Sequence, residues 1–394
     1  MTHPNPISGV APEAEHRTAQ LLVVVSDTDR ERIEALNASL AETLDAGSYI
    51  VATQEEHELA ANPEVRIIAL PPKGTSWLLK APDYINAYEI ADKYDVRAIL
   101  MLGPDANSLS PPAIRTLADA VLNTTIDLAM PHYALPPNIG LVNSAILYPV
   151  TRSLFAVRAR FPLAIDMVFS MRMAQRLAIV AQRIGGSDEA ILWPVSEAVA
   201  AGFAVNEYDV GPRAIPQPSE SDVNAMLTLI IGSLFADIEA KAAIWQRPRR
   251  PPAMHADDSP PSAPVSSSDV AKMVEAFRLG NANLQEIWTQ VLPPHSLVML
   301  KRFSAVEPSS FRMPENLWAR IVFDFLIAYR LRHVNRGHLL GALIPLYLGW
   351  VAGHINLTAS GVASERHIEA VASAFEADKP YLVARWRWPD RFNS

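Results

Sequence analysis

Three charged residues stand just after apolar runs that read as buried strands: Asp27 after LLVVVS, Lys73 after VRIIALPP, and Asp105 after AILMLGP. Open α/β sheets bind ligands at the carboxyl ends of their strands, so these positions are candidates for a site. Polar residues must also follow buried strands simply to reach solvent. In ILMLGPDANSL (99–109) the apolar run stops at Gly103-Pro104 and a lone carboxylate follows. That pattern reads either as a plain turn or as an altered site for a metal and a phosphate. PPKGTS (71–76) sets Lys73 beside Gly74. Backbone N–H groups near a glycine plus one ammonium suit a diphosphate; a solvated turn has the same composition.

Other chemistry is sparse. With no cysteine, disulfides, thiol chemistry and Cys-ligated zinc are excluded. The ten histidines show no metal-ligand spacing, and no nucleophile elbow, Walker loop or dinucleotide glycine fingerprint is present. His57, His333 and His338 read as surface or helix-packing residues. ARWRWPDRF (384–392) interleaves Arg with Trp. It reads as aromatics docking onto the protein, or as a surface that stacks a nucleobase or sugar. The carboxylates of SLFADIEAKAAIW (233–245) read as the solvated face of a helix.

The elements that must position these residues follow from periodicity. AQLLVVVSDTDRERIEALNASLAETLDA (19–46) is a strand, a polar turn, then Ile33, Leu36, Leu40 and Leu44 at helical spacing. VRIIALPP (65–72), VRAILML (96–102) and IDLAMPHY (126–133) read as further strands. PDYINAYEIADKYD (82–95) and PAIRTLADAVLN (112–123) read as helices. The alternation predicts an α/β fold with a mainly parallel sheet and helices on both faces. NSAILYPVTRSLFAVRARF (143–161) and DMVFSMRMAQRLAIVAQRI (166–184) read as two helical stretches. ILWPVSEAVAAGFAVNEYDVG (191–211) passes from a short helix into a strand at Gly202. SDVNAMLTLIIGSLFADIEAKAAIWQ (221–246) reads as one long helix with Ser221 or Asp222 as N-cap.

Four segments are expected: a loose tail over 1–18, an α/β domain over 19–246, a Pro/Ser-rich linker over 247–269 and a helical domain over 270–394. Hydrophobic content of 49% suits a sizeable core, and a net charge of −8 argues against a nucleic-acid partner. LLGALIPLYLGWVAGHI (339–355) is shorter than the ~18–20 apolar residues of a membrane span and contains Pro345, so it reads as buried helix. The tail lacks the apolar core of a signal peptide. Together with the absence of cysteine, this sets a cytoplasmic expectation.

The order of these segments resembles the bacterial retaining glycosyltransferases of the mannosylglycerate, glucosylglycerate and glucosyl-phosphoglycerate synthase group, of GT-A fold. The likeness is strongest in NSAILYPVTRSLFAVRARFPLAIDMVFS (143–170), where the family runs Asn, then Tyr-Pro-Leu-Thr-Arg, then Gln-Pro-Ile-Gly-Gly-Asp. It continues through 191–213 and 223–245, and returns in LWARIVFDFLIAYR, LLGALIPLYLGW and FEADKPYLVARWRWPDRFN, covering most of residues 20–394. The resemblance implies a nucleotide-sugar-binding domain and transfer of a sugar from a nucleotide diphosphate sugar to a small hydroxy acid such as glycerate or phosphoglycerate. It also implies Mg²⁺ or Mn²⁺ on the diphosphate, in a Lewis-acid role, and a homodimer.

Carried over by position, the resemblance gives Asp105 the second carboxylate of the family's Asp-x-Asp and puts Gly103 at the first. Ile215 stands where the family's metal-binding His falls, and Ile191 where a further Asp falls. Lys73-Gly74 matches a Gly-Lys-Gly in part. Asp166 keeps its place, behind Ala164 and Ile165 instead of two glycines. The implied site is Asp27, Lys73, Gly74, Asp105 and Arg213 on the nucleotide sugar, Asp105 as the remaining metal ligand, and Asp166 and Glu189 as catalytic carboxylates. One carboxylate holds a six-coordinate ion poorly, and each lost contact to developing charge costs ~3–4 kcal/mol. Arg213 as a fixed cation, and Asp188 or Glu189 near the sugar, would compensate. Two functions stay open: a hexosyltransferase with a degraded or dispensable metal site, and a catalytically inactive relative that binds a nucleotide sugar or a protein partner.

Overall fold

The computed structural model describes residues 19–27, 29–45, 47–53, 66–70, 78–184, 190–215, 223–247 and 267–389. Among them, seven strands form one sheet: β1 (Leu21–Val25), β2 (Tyr49–Thr53), β3 (Arg66–Ala69), β4 (Ala98–Leu102), β5 (Leu128–Ala134), β6 (Met167–Ser170) and β7 (Val205–Pro212). Their order is β3-β2-β1-β4-β6-β5-β7. Every residue of β1 and β4 is buried, as suits parallel strands covered on both faces. β1 pairs in parallel with β2 and β4, β2 with β3, and β5 with β7. β6 runs antiparallel to β4 and β5. The expected mainly parallel sheet is therefore present.

Two strands depart from the reading of the sequence. β2, built on YIVAT, lies in a stretch left unassigned there. β6 heads a stretch read as helix, because its four residues pass straight into the next helix without a turn residue between them. The reversal of β6 brings its first residue to the same edge as the carboxyl ends of β4 and β5.

The helices of the sheet layer are α1 (Arg30–Thr43), α2 (Ala81–Lys93), α3 (Pro111–Leu122), α4 (Tyr148–Phe155), α5 (Met171–Ile184) and α6 (Pro194–Ala201). Their ends follow ordinary capping chemistry. Asp29 caps α1 by accepting from the Arg32 amide. Ser110 caps α3 ahead of Pro111 and Pro112. Gly202 closes α6 in the left-handed region at φ 73°.

The second layer holds α7 (Val223–Ala240), α8 (Ala242–Trp245), α9 (Ser267–Asn283), α10 (Gln285–Val291), α11 (Pro294–Phe303), α12 (Glu315–Leu331), α13 (Arg336–Ala359) and α14 (Ser364–Arg387). One apolar core lies between the sheet and its helices, and another joins α4, α6 and α7 to α9–α14. That second core draws on both sides of the 247–269 segment: Phe235 packs edge-on to Tyr329, and Trp245 to Trp386. α7 and α13 are both long and apolar enough to cross a membrane. The apolar window of α13 is 72% buried inside the protein against 39% for α7, so α13 is the core helix its sequence suggested.

The carboxylates of α7 correct the expectation of a solvated face. Asp237, mostly buried, pairs with the buried Lys241, Ser196 Oγ donates to Asp237 at 2.6 Å, and Lys241 also meets Glu197 at 2.6 Å. Glu239 pairs with Arg336 at 2.7 Å. The helix packs here against polar partners brought in by α6 and α13, which spacing within α7 alone does not reveal.

Candidate functional site

The topology gathers one polar cluster at the carboxyl edge of the sheet. β1 ends two residues before Asp27, β4 ends just before Gly103, β5 carries Tyr133, β6 begins after Asp166, and β7 ends just before Arg213. Asp27 ties two of these loops together, one carboxylate oxygen accepting from the Asp29 amide and the other from the Asp105 amide, both at 3.0 Å. Asp105 sits in the left-handed region at φ 59°, a conformation aspartate tolerates better than most residues. Its side chain pairs with Arg32 of α1.

The centre of the cluster is a buried ion pair. Arg213 Nε lies 2.8 Å from Asp166 Oδ2 and Nη2 lies 3.1 Å from Oδ1, with both side chains 0% exposed. This is the two-pronged geometry that favours arginine over lysine. The other guanidinium protons go to Pro104 O at 2.8 Å, Asp105 O at 2.6 Å and Ala214 O at 2.7 Å, with Ser108 Oγ at 3.0 Å from Nη1. An arginine has five N–H donors, and protein acceptors take them all. Asp166 is equally saturated: besides Arg213 it accepts from the Gly103 amide at 2.9 Å and the Tyr133 hydroxyl at 2.8 Å.

The electrostatics lock this state. Burial opposes the charge on Arg213, yet Asp166 beside it holds the guanidinium above its usual value. Burial, then the Asp166 charge, push the Tyr133 hydroxyl well above the tyrosine range. It therefore remains a donor to the carboxylate.

Gly103, Ile191 and Ile215 are built into the packing. A Cβ on Gly103 would meet Ile165 Cβ at 2.7 Å, so Ile165 fills the space a side chain at 103 would need. Ile191 is 5% exposed, belongs to the helical-layer core and forms an isolated bridge with Lys80. Ile215 is half-buried against the sheet-side core.

These residues do not fit a divalent cation. Gly103 offers no carboxylate, Asp166 has no unoccupied lone pair facing a ligand, Asp105 is drawn to Arg32, and a permanent cation, Arg213, occupies the middle. Among the described residues no group of three or more His, Asp or Glu side chains is arranged to hold a metal.

Of the residues expected at the site, Asp27, Asp105, Asp166 and Arg213 come together. Lys73, Gly74 and Glu189 lie outside the described residues, as do Asp188, His57, Ser221 and Asp222. His333 and His338 are exposed, as expected. The sequence reading missed Tyr133, Ser108 and Arg32. Tyr133 carried a usable signal, as the last residue of the run IDLAMPHY.

No family model matches the sequence, and no curated protein does. Solved structures do match in part. Glucosyl-3-phosphoglycerate synthase from Mycobacterium tuberculosis, in complex with Mn²⁺, UDP-glucose and phosphoglyceric acid, is 14% identical with a TM-score of 0.38, over 56% of this chain and 80% of that chain. The same enzyme with Mg²⁺ and UDP is 13% identical with a TM-score of 0.41, over 56% and 79%. A further mycobacterial protein is 13% identical with a TM-score of 0.39, over 56% and 75%.

Proposed function

We propose that this chain is a glycosyltransferase-like protein in which a fixed internal ion pair has replaced the divalent cation, and that it binds a nucleotide sugar without transferring it. Support comes from the colinear sequence motifs, the mainly parallel sheet and the convergence of Asp27, Asp105, Asp166 and Arg213 at its carboxyl edge. The observation that carries the non-catalytic reading is the Asp166–Arg213 pair, with every donor and acceptor committed within the protein. Transition-state stabilisation needs donors aimed at charge that develops during reaction. Arg213 presents none, and Asp166 cannot approach an anomeric carbon without breaking four contacts.

The test is thermal-shift titration of the full chain with UDP-glucose and GDP-mannose, with and without Mn²⁺, followed by assay of released nucleoside diphosphate. Stabilisation by the nucleotide sugar that Mn²⁺ does not increase, with no release above background, is expected. Metal-enhanced stabilisation or sustained turnover would overturn the proposal. No shift with either nucleotide sugar would move the function to a protein partner.

A further inference from the structure

The Arg/Trp interleaving at the end of the chain resolves into two roles. Trp386 is buried, edge-on to Trp245 and beneath the Arg330 guanidinium. Trp388, two residues on, is 57% exposed and is the only aromatic among the large exposed apolar residues described. It stands on the wall of a cavity of about 700 Å³ between the ends of α4, α8 and α14. That volume lies within the range of small-molecule sites.

Cations dominate the lining. Arg152, Arg247, Lys379 and Arg387 face it against a single carboxylate, Glu376, on a chain whose net charge is −8. Arg152 and Glu376 satisfy each other at 2.8 Å, and Arg152 is anchored further by Glu369 at 2.5 Å. Lys379 donates to the Leu154 carbonyl at the end of α4, which is ordinary helix C-terminal chemistry. Arg247 and Arg387 are exposed, and neither has a carboxylate partner among the described residues. Arg387 is oriented by Gln246 Oε1 at 2.9 Å from its Nε. Two forked cations thus stand on the same cavity wall as an exposed indole.

We infer that this cavity is a second ligand site, for a nucleoside phosphate whose base stacks on Trp388 and whose phosphates are held by Arg247 and Arg387. Planar guanidinium forks match phosphate oxygens, and any base offers a π face to tryptophan. The inference is independent of the reading of the strand-edge cluster, because none of the residues that line this cavity belongs to that cluster.

Calorimetric titration of the full chain with ADP, adenosine and inorganic pyrophosphate tests it, with Trp388→Ala and the double variant Arg247→Ala/Arg387→Ala compared at equal melting temperature. Stacking of one base predicts that Trp388→Ala weakens ADP about tenfold or more while leaving pyrophosphate unchanged. The double arginine variant weakens both. The inference is overturned if wild-type chain binds no ADP, or if Trp388→Ala binds ADP as tightly as wild type. It is also overturned if a hexaglutamate peptide binds more tightly than ADP and displaces it, which marks the face as a docking surface for acidic protein.

Discussion

Ile165 occupies the space that a side chain at position 103 would need, its Cβ lying 2.7 Å from where a Cβ on Gly103 would stand. The two positions are therefore complementary in volume: the side chain at 165 fills the space next to the bare backbone at 103. The Gly103 amide then donates to Asp166, the next residue after Ile165, and the backbone of one loop holds the carboxylate of the other.

This shared space predicts strong coupling. Gly103→Ala is expected to cost ~1–3 kcal/mol, the usual range for overpacking. Ile165→Gly leaves a void and is expected to cost ~2–5 kcal/mol. In the double variant the new methyl enters the void, so the combined loss falls below the sum by roughly 0.5–3 kcal/mol. Urea unfolding of the four proteins measures this, and strict additivity would show that the two residues do not share the space.

The Asp166–Arg213 pair predicts asymmetry between breaking and removing a buried ion pair. Asp166→Asn leaves Arg213 charged and fully buried, at a cost of ~3–5 kcal/mol. Arg213→Met strands the carboxylate with only the Gly103 amide and the Tyr133 hydroxyl. Asp166→Asn/Arg213→Met removes both charges and is expected to be more stable than either single variant. Denaturant midpoints compared at one pH settle the order.

Much of this arrangement was legible beforehand. Asp27 and Asp105 were placed by the apolar runs before them, since a buried parallel strand ends where the chain must meet water. Their convergence with Asp166 and Arg213 followed from motif order. What spacing did not reveal was whom each group would face. Arg213 looked available to a diphosphate, and only tertiary packing turns it onto Asp166, 47 positions away. Four-residue β6 was absorbed into the helical pattern of α5 because nothing in MVFSMRM marks a boundary, and its antiparallel direction is a property of the sheet and not of its sequence.

Lys241 is a comparable case outside the cluster. It lies between Glu197, 2.6 Å away, and Asp237, which burial pushes above the usual carboxylate range despite the lysine. Lys241→Met removes the cation shared by both acids and leaves Glu197 paired with Arg176 alone. A loss of ~3–5 kcal/mol is expected near pH 8. The deficit should shrink towards pH 5, because Asp237, which burial already holds above the usual carboxylate range, takes up a proton before the unfolded chain does. A deficit independent of pH would mean that Lys241 acts through packing alone.

His354 gives the clearest pH signature. It is buried and stacked on Trp350, with Nδ1 2.7 Å from His367 Nδ1 and Nε2 3.2 Å from the Pro137 carbonyl. Burial, then the neighbouring His367, lower its pKa to about 4 from 6.5, and His367 is lowered as well. Arg160 faces the pair as a further cation, with Glu365 and Glu315 opposing it. A depressed folded-state value means that stability is complete above pH 6.5 and is lost as pH falls towards 4. Within that window each proton taken up on unfolding contributes about 1.4 kcal/mol per pH unit. Asp324 acts in the opposite sense: burial, against Arg385, raises it to about 7, so its contribution is lost as pH rises from 3.8 to 7. The two partly cancel in the wild-type protein, which is why the test is a difference. His354→Phe keeps a ring on Trp350 but takes up no proton. Its stability relative to wild type should rise as pH drops from 6.5 to 4, by a slope approaching that of one proton. Parallel pH profiles for the two proteins would show that His354 is not held neutral in the folded state.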